Sequence, residues 1–220
     1  MAKLSDSARI NMAVLAPELI GAPLATLGAV YCMEKVPHQM KSLSDTVSKH
    51  IVLPHLEKFE YFAKGLRRAH KEYDEKRNAQ RIARGEPPLP YAPETREERA
   101  FEISDGMVKT FLALGADFAA TLGLQSMLAR ALKAPMQPFK TAATELTVHL
   151  GIMALMPTLF AKFSENTHYG IGRAMEHKLG IDKEKADERG RALTYVSLPG
   201  YGAAIASLLY AHGMGKNKGR

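Results

Sequence analysis

The sequence predicts an all-α fold: a membrane-embedded helical bundle of four apolar helices, with an additional amphipathic polar helix. Three observations predict it. Charge is segregated, with most Lys, Arg, Asp and Glu in two stretches, roughly 35–110 and 162–191. A soluble amphipathic helix alternates charge and apolarity every few residues, whereas this chain alternates them every few tens. The remaining stretches form four apolar segments, each close to the roughly twenty residues that a bilayer crossing needs. Small residues recur at four-residue intervals within them, a spacing that lets helices approach closely in lipid.

The first segment, Met12–Met33, carries Glu18, Pro17 and Pro23. Proline is costly in a soluble helix but better tolerated in a membrane helix, where neighbouring groups satisfy the freed backbone. Gly21, Ala25 and Ala29 give it one smooth face. Cys32, at the end of this run, is the only cysteine, which excludes an internal disulfide or a multi-thiolate metal site. A small buried hydrophobe is its expected role. The N-terminus lacks the short apolar region and small-residue cleavage site of a signal peptide, so the segment reads as retained.

Residues 34–106 are polar. Ser44-Asp45 offers a helix start, Pro54 an interruption, and a longer helix is predicted from about His55 to Ala83. Along it Phe59, Phe62, Leu66, Ala69 and Tyr73 follow steps of three and four, opposite a strongly charged face. Docking on its own protein, packing on a partner and lying on a membrane surface would each explain this face. A Pro-rich linker at 85–94 follows, read as a rigid spacer although Pro87-x-x-Pro90 and Pro90-x-x-Pro93 match a proline-motif ligand. Thr95-Arg-Glu-Glu98 fits a capping box and marks the next helix start.

The second segment, Met107–Leu132, carries two stripes. Gly115, Ala119 and Gly123 form a small-residue face; Asp117, Thr121 and Gln125 form a polar line. The short connection Lys133–Lys140 predicts a helical hairpin with the third segment, Thr141–Phe163, in which Glu145 and His149 stand one turn apart. A charged, solvated helix is expected over Asp182–Arg191. The fourth segment, Ala192–Met214, contains Pro199, Gly200 and a Gly202-x-x-x-Ala206 pair, and a short basic tail ends the chain. The organisation reads as 1–34, an apolar helix; 35–106, a polar basic region; 107–163, an apolar hairpin; and 164–220, a polar helix, the last apolar helix and the tail.

The net charge is +7. The densest basic run, Arg67-Arg68-Ala69-His70-Lys71, is diluted at once by Glu72, Asp74 and Glu75, and no zinc-finger or aromatic-basic pattern accompanies it, so nucleic acid is not an expected partner. The two large polar regions hold 22 of the 30 Lys and Arg residues. With four crossings, the positive-inside rule puts both regions on the cytoplasmic or matrix side of a bacterial or organellar inner membrane, although so long a first region obeys the rule weakly.

Chemistry-bearing motifs are sparse. His168-Tyr169-Gly170-Ile171-Gly172 lacks the third glycine and preceding strand of a dinucleotide site, and no nucleophile elbow, phosphate loop or His-Glu-x-x-His is present. Glu57-x-x-Glu60 between His55 and His70 lies where such spacing arises freely, and Glu145-x-x-x-His149 alone does not make a metal pair. No cofactor, metal site or enzymatic activity is expected. The functional candidates are the intramembrane polar residues Glu18, Asp117, Glu145 and His149, costly to keep in lipid. Converging, they would make a proton or cation path. Apart, Glu18 would cap a proline kink, Glu145 and His149 would sit at a membrane edge, and Asp117 would bond Thr121 or a neighbouring helix. The leading functional expectation is a non-enzymatic membrane scaffold, anchor or assembly subunit contacting a protein partner, or a second copy of itself, through its polar region. The alternatives are a small transporter or channel component using those four residues, and a soluble helical bundle that binds a protein or lipid.

Overall fold

The computed structural model describes residues 4–88 and 95–217, apart from the side chains of Ala63, Leu66, His70, Tyr73 and residues 214–217. The described residues are helical almost throughout and contain no strand. Four helical stretches are long and apolar enough to cross a membrane: Asp6–Glu34, Arg96–Leu132, Pro138–Leu159 and Lys183–Gly213. The first two are longer than the predicted segments because their polar first turns continue the same helices.

The first stretch is α1 (Asp6–Ala16), a π-type turn (Pro17–Gly21) and α2 (Ala22–Glu34). Ser5 caps α1 by accepting from the Ala8 amide at 3.2 Å. Pro17 brings no N–H, so the ladder widens by one residue there instead of breaking. Next come α3 (Pro37–Val47), a π-type turn (Ser48–Val52), a 3₁₀ turn (Leu53–His55) and α4 (Leu56–Ala83). The helix expected to open at Ser44 starts instead at Pro37, whose fixed φ suits a first helical position. Ser44 lies inside α3 and donates to Asp105 at 2.9 Å. Residues 89–94 of the Pro-rich linker lie outside the described residues.

The capping box forms as read. Thr95 Oγ1 accepts from the Glu98 amide at 3.1 Å, and Glu98 returns the bond to the Thr95 amide at 3.0 Å. It opens α5 (Arg96–Leu132), followed by α6 (Pro138–Leu159) and α7 (Ala161–Leu179). The glycine-bearing run at 168–172 is therefore helical. Gly180, at φ 63°, ends α7 in the left-handed conformation that glycine adopts without a Cβ penalty. Then α8 (Lys183–Ala192), a π-type turn (Leu193–Ser197) and α9 (Leu198–Asn217) complete the chain.

The chain divides into two units. Unit 1 comprises residues 1–32, 110–154 and 191–220. Its apolar cluster joins Ile10, Ala13 and Val14 to Ala129, Met136 and Ala211. His212 Nε2 meets Asn11 Oδ1 at 2.8 Å, tying α9 to α1. Elsewhere the unit is apolar outside and polar inside. Leu19 and Leu209 are 60% and 69% exposed, and Ile20, Leu24, Phe111, Met127 and Ile205 also face outward. Glu18, Thr26, Asp117, Thr121, Gln125, Glu145, His149, Thr194, Ser197 and Ser207 are buried. A water-soluble bundle has the opposite distribution. Helix α5 shows the sorting within one element: its polar line faces inward, while Gly115, Ala119 and Gly123 are exposed. Gly21 does make a close approach, since a Cβ there would meet Leu124. Cys32, near the C-terminal end of α2, is exposed, correcting the expectation of a buried thiol.

Unit 2 comprises residues 33–109 and 155–190. Val52, Leu56 and Ala100 form its apolar cluster, with Phe59, Ile103 and Met107 packed against it. Of the predicted apolar face of α4, Phe59 is partly buried and Phe62 is 62% exposed, while Leu66 and Tyr73 lie outside the described side chains. Glu60 pairs with Arg67 at 3.0 Å and Arg99 at 2.9 Å. The α8 helix is not merely solvated: Ala186 and Gly190 are buried against α7. A Cβ at Gly190 would lie 2.6 Å from the His168 carbonyl oxygen, so only glycine permits this approach. Arg189 forks onto Glu34 through Nε at 3.0 Å and a terminal nitrogen at 2.8 Å. Lys109 bridges Asp105 at 2.9 Å and Glu188 at 2.5 Å.

Candidate functional site

The interior of unit 1 brings together all four polar residues singled out in the sequence. Each arrives on a different local device. Glu18 lies in the π-type turn that Pro17 opens. Asp117 belongs to the i, i+4, i+8 line of α5, and Glu145 and His149 share one face of α6 by the same spacing. The second π-type turn, Leu193–Ser197, contributes Thr194 and Ser197. Such turns release a carbonyl from the regular ladder and recur at functional sites.

The contacts form two linked groups. In the first, Glu145 Oε2 accepts from Gln125 Nε2 and from Ser207 Oγ, both at 2.9 Å. Thr121 Oγ1 donates to Glu18 Oε2 at 3.3 Å. Glu18 and Glu145 are near neighbours in this interior. In the second group, Ser197 Oγ donates to Thr26 Oγ1 at 3.4 Å, and Thr26 Oγ1 in turn approaches Asp117 Oδ1 at 3.5 Å. His149 Nδ1 stands 3.8 Å from Asp117 Oδ2, and the Val196 carbonyl lies beside the same ring.

Of the two alternatives for Asp117, it meets a neighbouring helix, through Thr26 of α2, while Thr121 is turned toward Glu18. Glu145 and His149 are both buried in the bundle. Gly200 supplies room for the cluster: a side-chain carbon there would land on the Glu18 carboxylate. Three polar atoms remain without a hydrogen-bond partner, namely Glu18 Oε1, Gln125 Oε1 and His149 Nε2. Buried polar atoms of this kind are normally satisfied by protein or ordered water. Among the described residues no group of three or more His, Cys, Asp and Glu side chains is arranged to hold a metal ion.

Sequence reasoning missed Thr26, Thr194, Ser197 and Ser207. Hydroxyls in apolar helices carry no individual signal, because they bond their own backbone as readily as a partner. Comparison with protein-family models, with curated proteins and with solved structures finds no match.

Proposed function

We propose that this chain is an integral membrane protein whose unit 1 carries a proton relay, making it a small transporter or channel component. The carrying observation is the convergence of Glu18, Asp117, Glu145 and His149 in one interior. Hydroxyl and small residues suffice to hold membrane helices together. An ionisable group at mid-membrane costs on the order of 2.5–3.5 kcal/mol on insertion scales, so four of them exceed what packing requires. Carboxyl and imidazole groups within reach of one another, bridged by hydroxyls that both donate and accept, have the chemistry of proton transfer. The apolar exterior of the same unit supports a lipid setting. The Lys and Arg excess supports polar regions on the cytoplasmic or matrix side.

The test is proton flux into liposomes reconstituted with the purified chain, followed with a pH-sensitive dye under an imposed gradient. The wild type collapses the gradient faster than empty liposomes, and Asp117→Asn and Glu145→Gln each slow it at least tenfold while remaining folded. Wild-type flux equal to that of empty liposomes contradicts the proposal.

A second reading, a membrane scaffold binding a protein partner through the polar region, is supported by α4. Tyr61 and Phe62 are 74% and 62% exposed there and meet edge to face at 6.0 Å. Exposed aromatic pairs of this kind are common anchors of protein contacts. Under it, the flux assay is silent and Tyr61→Ala with Phe62→Ala disrupts assembly.

A further inference from the structure

Unit 2 carries a surface that the relay does not use. The third candidate span ends at Leu159, and the chain runs from there through Phe160 straight into α7. Helix α4 packs closely on this junction: a Cβ at Gly65 would lie 3.0 Å from the Pro157 carbonyl oxygen and 3.4 Å from Ala161 Cβ. Aromatic side chains from both helices stand outward near that crossing. Tyr61 and Phe62, one turn before Gly65, are exposed on α4, and Phe160 and Phe163 are exposed beside Ala161. The next exposed large hydrophobic residues on these two helices, among the described side chains, are Ile82 and Leu179 at their far ends. Lys58, Lys64 and Lys162 are exposed between and beside the aromatic residues. Of the nearby carboxylates, Glu57 is exposed, while Glu60 is paired with Arg67 and Arg99.

We infer that this aromatic surface of unit 2 lies in the head-group layer of a phospholipid bilayer, where the third span ends. The inference rests on reading the chain as an integral membrane protein, but not on the relay. Aromatic residues gather at membrane–water interfaces because a large apolar ring with a polar edge or tip suits the boundary between acyl chains and water. Lysine stems lie along apolar surface while their ammonium groups reach the phosphates, which accounts for lysines set among the rings. Two observations favour lipid over a protein partner. The exposed rings of both helices are confined to the end at which the third span stops, and they continue the outward apolar face of that span, where Leu155 and Leu159 are exposed. A contact with a partner protein would place no such condition on where along α4 and α7 the rings occur.

The chain has no tryptophan, so a single introduced one reports its own depth. Full-length Phe62→Trp, Phe163→Trp, Leu24→Trp and Ala79→Trp are reconstituted separately into phosphatidylcholine vesicles. The vesicles contain lipid brominated either near the head group or near the acyl-chain end, and acrylamide is the quencher from water. Leu24, exposed on the first candidate span, is the reporter for the bilayer interior, and Ala79, exposed in the charged half of α4, is the reporter for water. Phe62→Trp and Phe163→Trp are expected to be quenched at least twofold more by the shallow bromines than by the deep ones. Ala79→Trp is quenched by acrylamide alone. Tyr61→Trp and Phe160→Trp repeat the reading from the adjoining positions should either first variant fail to fold. Quenching of Leu24→Trp without quenching at Phe62 and Phe163 overturns the inference, leaves the membrane reading standing and returns the aromatic pair of α4 to a protein partner. Quenching at only one of the two positions also overturns it, since the two helices then do not share one interface. Absence of lipid quenching from Leu24→Trp itself contradicts the membrane reading, and the inference falls with it.

Discussion

Gly200 and Glu18 occupy adjoining space: a methyl group at position 200 would fall on the Glu18 carboxylate and stand 3.3 Å from His149 Cε1. The glycine and the carboxylate come from opposite ends of the sequence, so the polar interior exists only when the first and last apolar helices pack against each other. Gly200→Ala is expected to destabilise unit 1 by about 1–3 kcal/mol, the usual range for overpacking, read as a lowered thermal midpoint in detergent. Gly202→Ala is the comparison. Its Cβ meets only the Ile152 Cδ1 end at 3.0 Å, a flexible group that yields, so a much smaller shift is expected.

The Arg189–Glu34 fork makes a separate prediction for unit 2. Its side chains are only 19% and 11% exposed, so solvent screens the pair less than it would a surface bridge. Arg189→Ala leaves Glu34 without this partner and is expected to cost about 1.5–3 kcal/mol. Arg189→Lys keeps the charge but lacks the planar fork, so an intermediate loss is expected. Thermal unfolding of the three proteins in the same detergent checks the order.

The capping box at the start of α5 predicts a local effect. Thr95→Ala removes the acceptor for the Glu98 amide and is expected to cost about 1 kcal/mol. Hydrogen exchange at Glu98 should quicken while exchange near Asp117 stays unchanged, since fraying is confined to the first turn.

Much of this was legible in the sequence, and the limits are physical. The polar line Asp117, Thr121, Gln125 and the pair Glu145, His149 are local patterns of period four, which any helix converts into a face. The capping box was readable because its two bonds join residues three apart. Which of the two α5 stripes turns inward was not readable, because that depends on partners from α1, α2, α6 and α9. For the same reason the sequence left open whether Asp117 bonds Thr121 or a neighbouring helix; Thr121 meets Glu18, a residue 103 positions away. The π-type turn at Pro17 showed in the sequence only as a flaw in an apolar run. Its consequence, aiming Glu18 inward, arises from the added residue in that turn. Cys32 was misread because its neighbours in sequence are apolar, whereas exposure depends on which side of α2 it occupies: Met33 beside it is buried and Cys32 is not.

Everything proposed for unit 1 depends on its apolar exterior meeting lipid. The most direct measurement is alkaline carbonate extraction of membranes from cells expressing the untagged chain, with pellet and supernatant blotted. Retention in the pellet is the predicted result, and it leaves Glu18, Asp117, Glu145 and His149 as the residues to neutralise in flux measurements. Release into the supernatant would contradict the account: the four apolar helices would then belong to a soluble or peripheral protein, and the buried carboxyls would be structural.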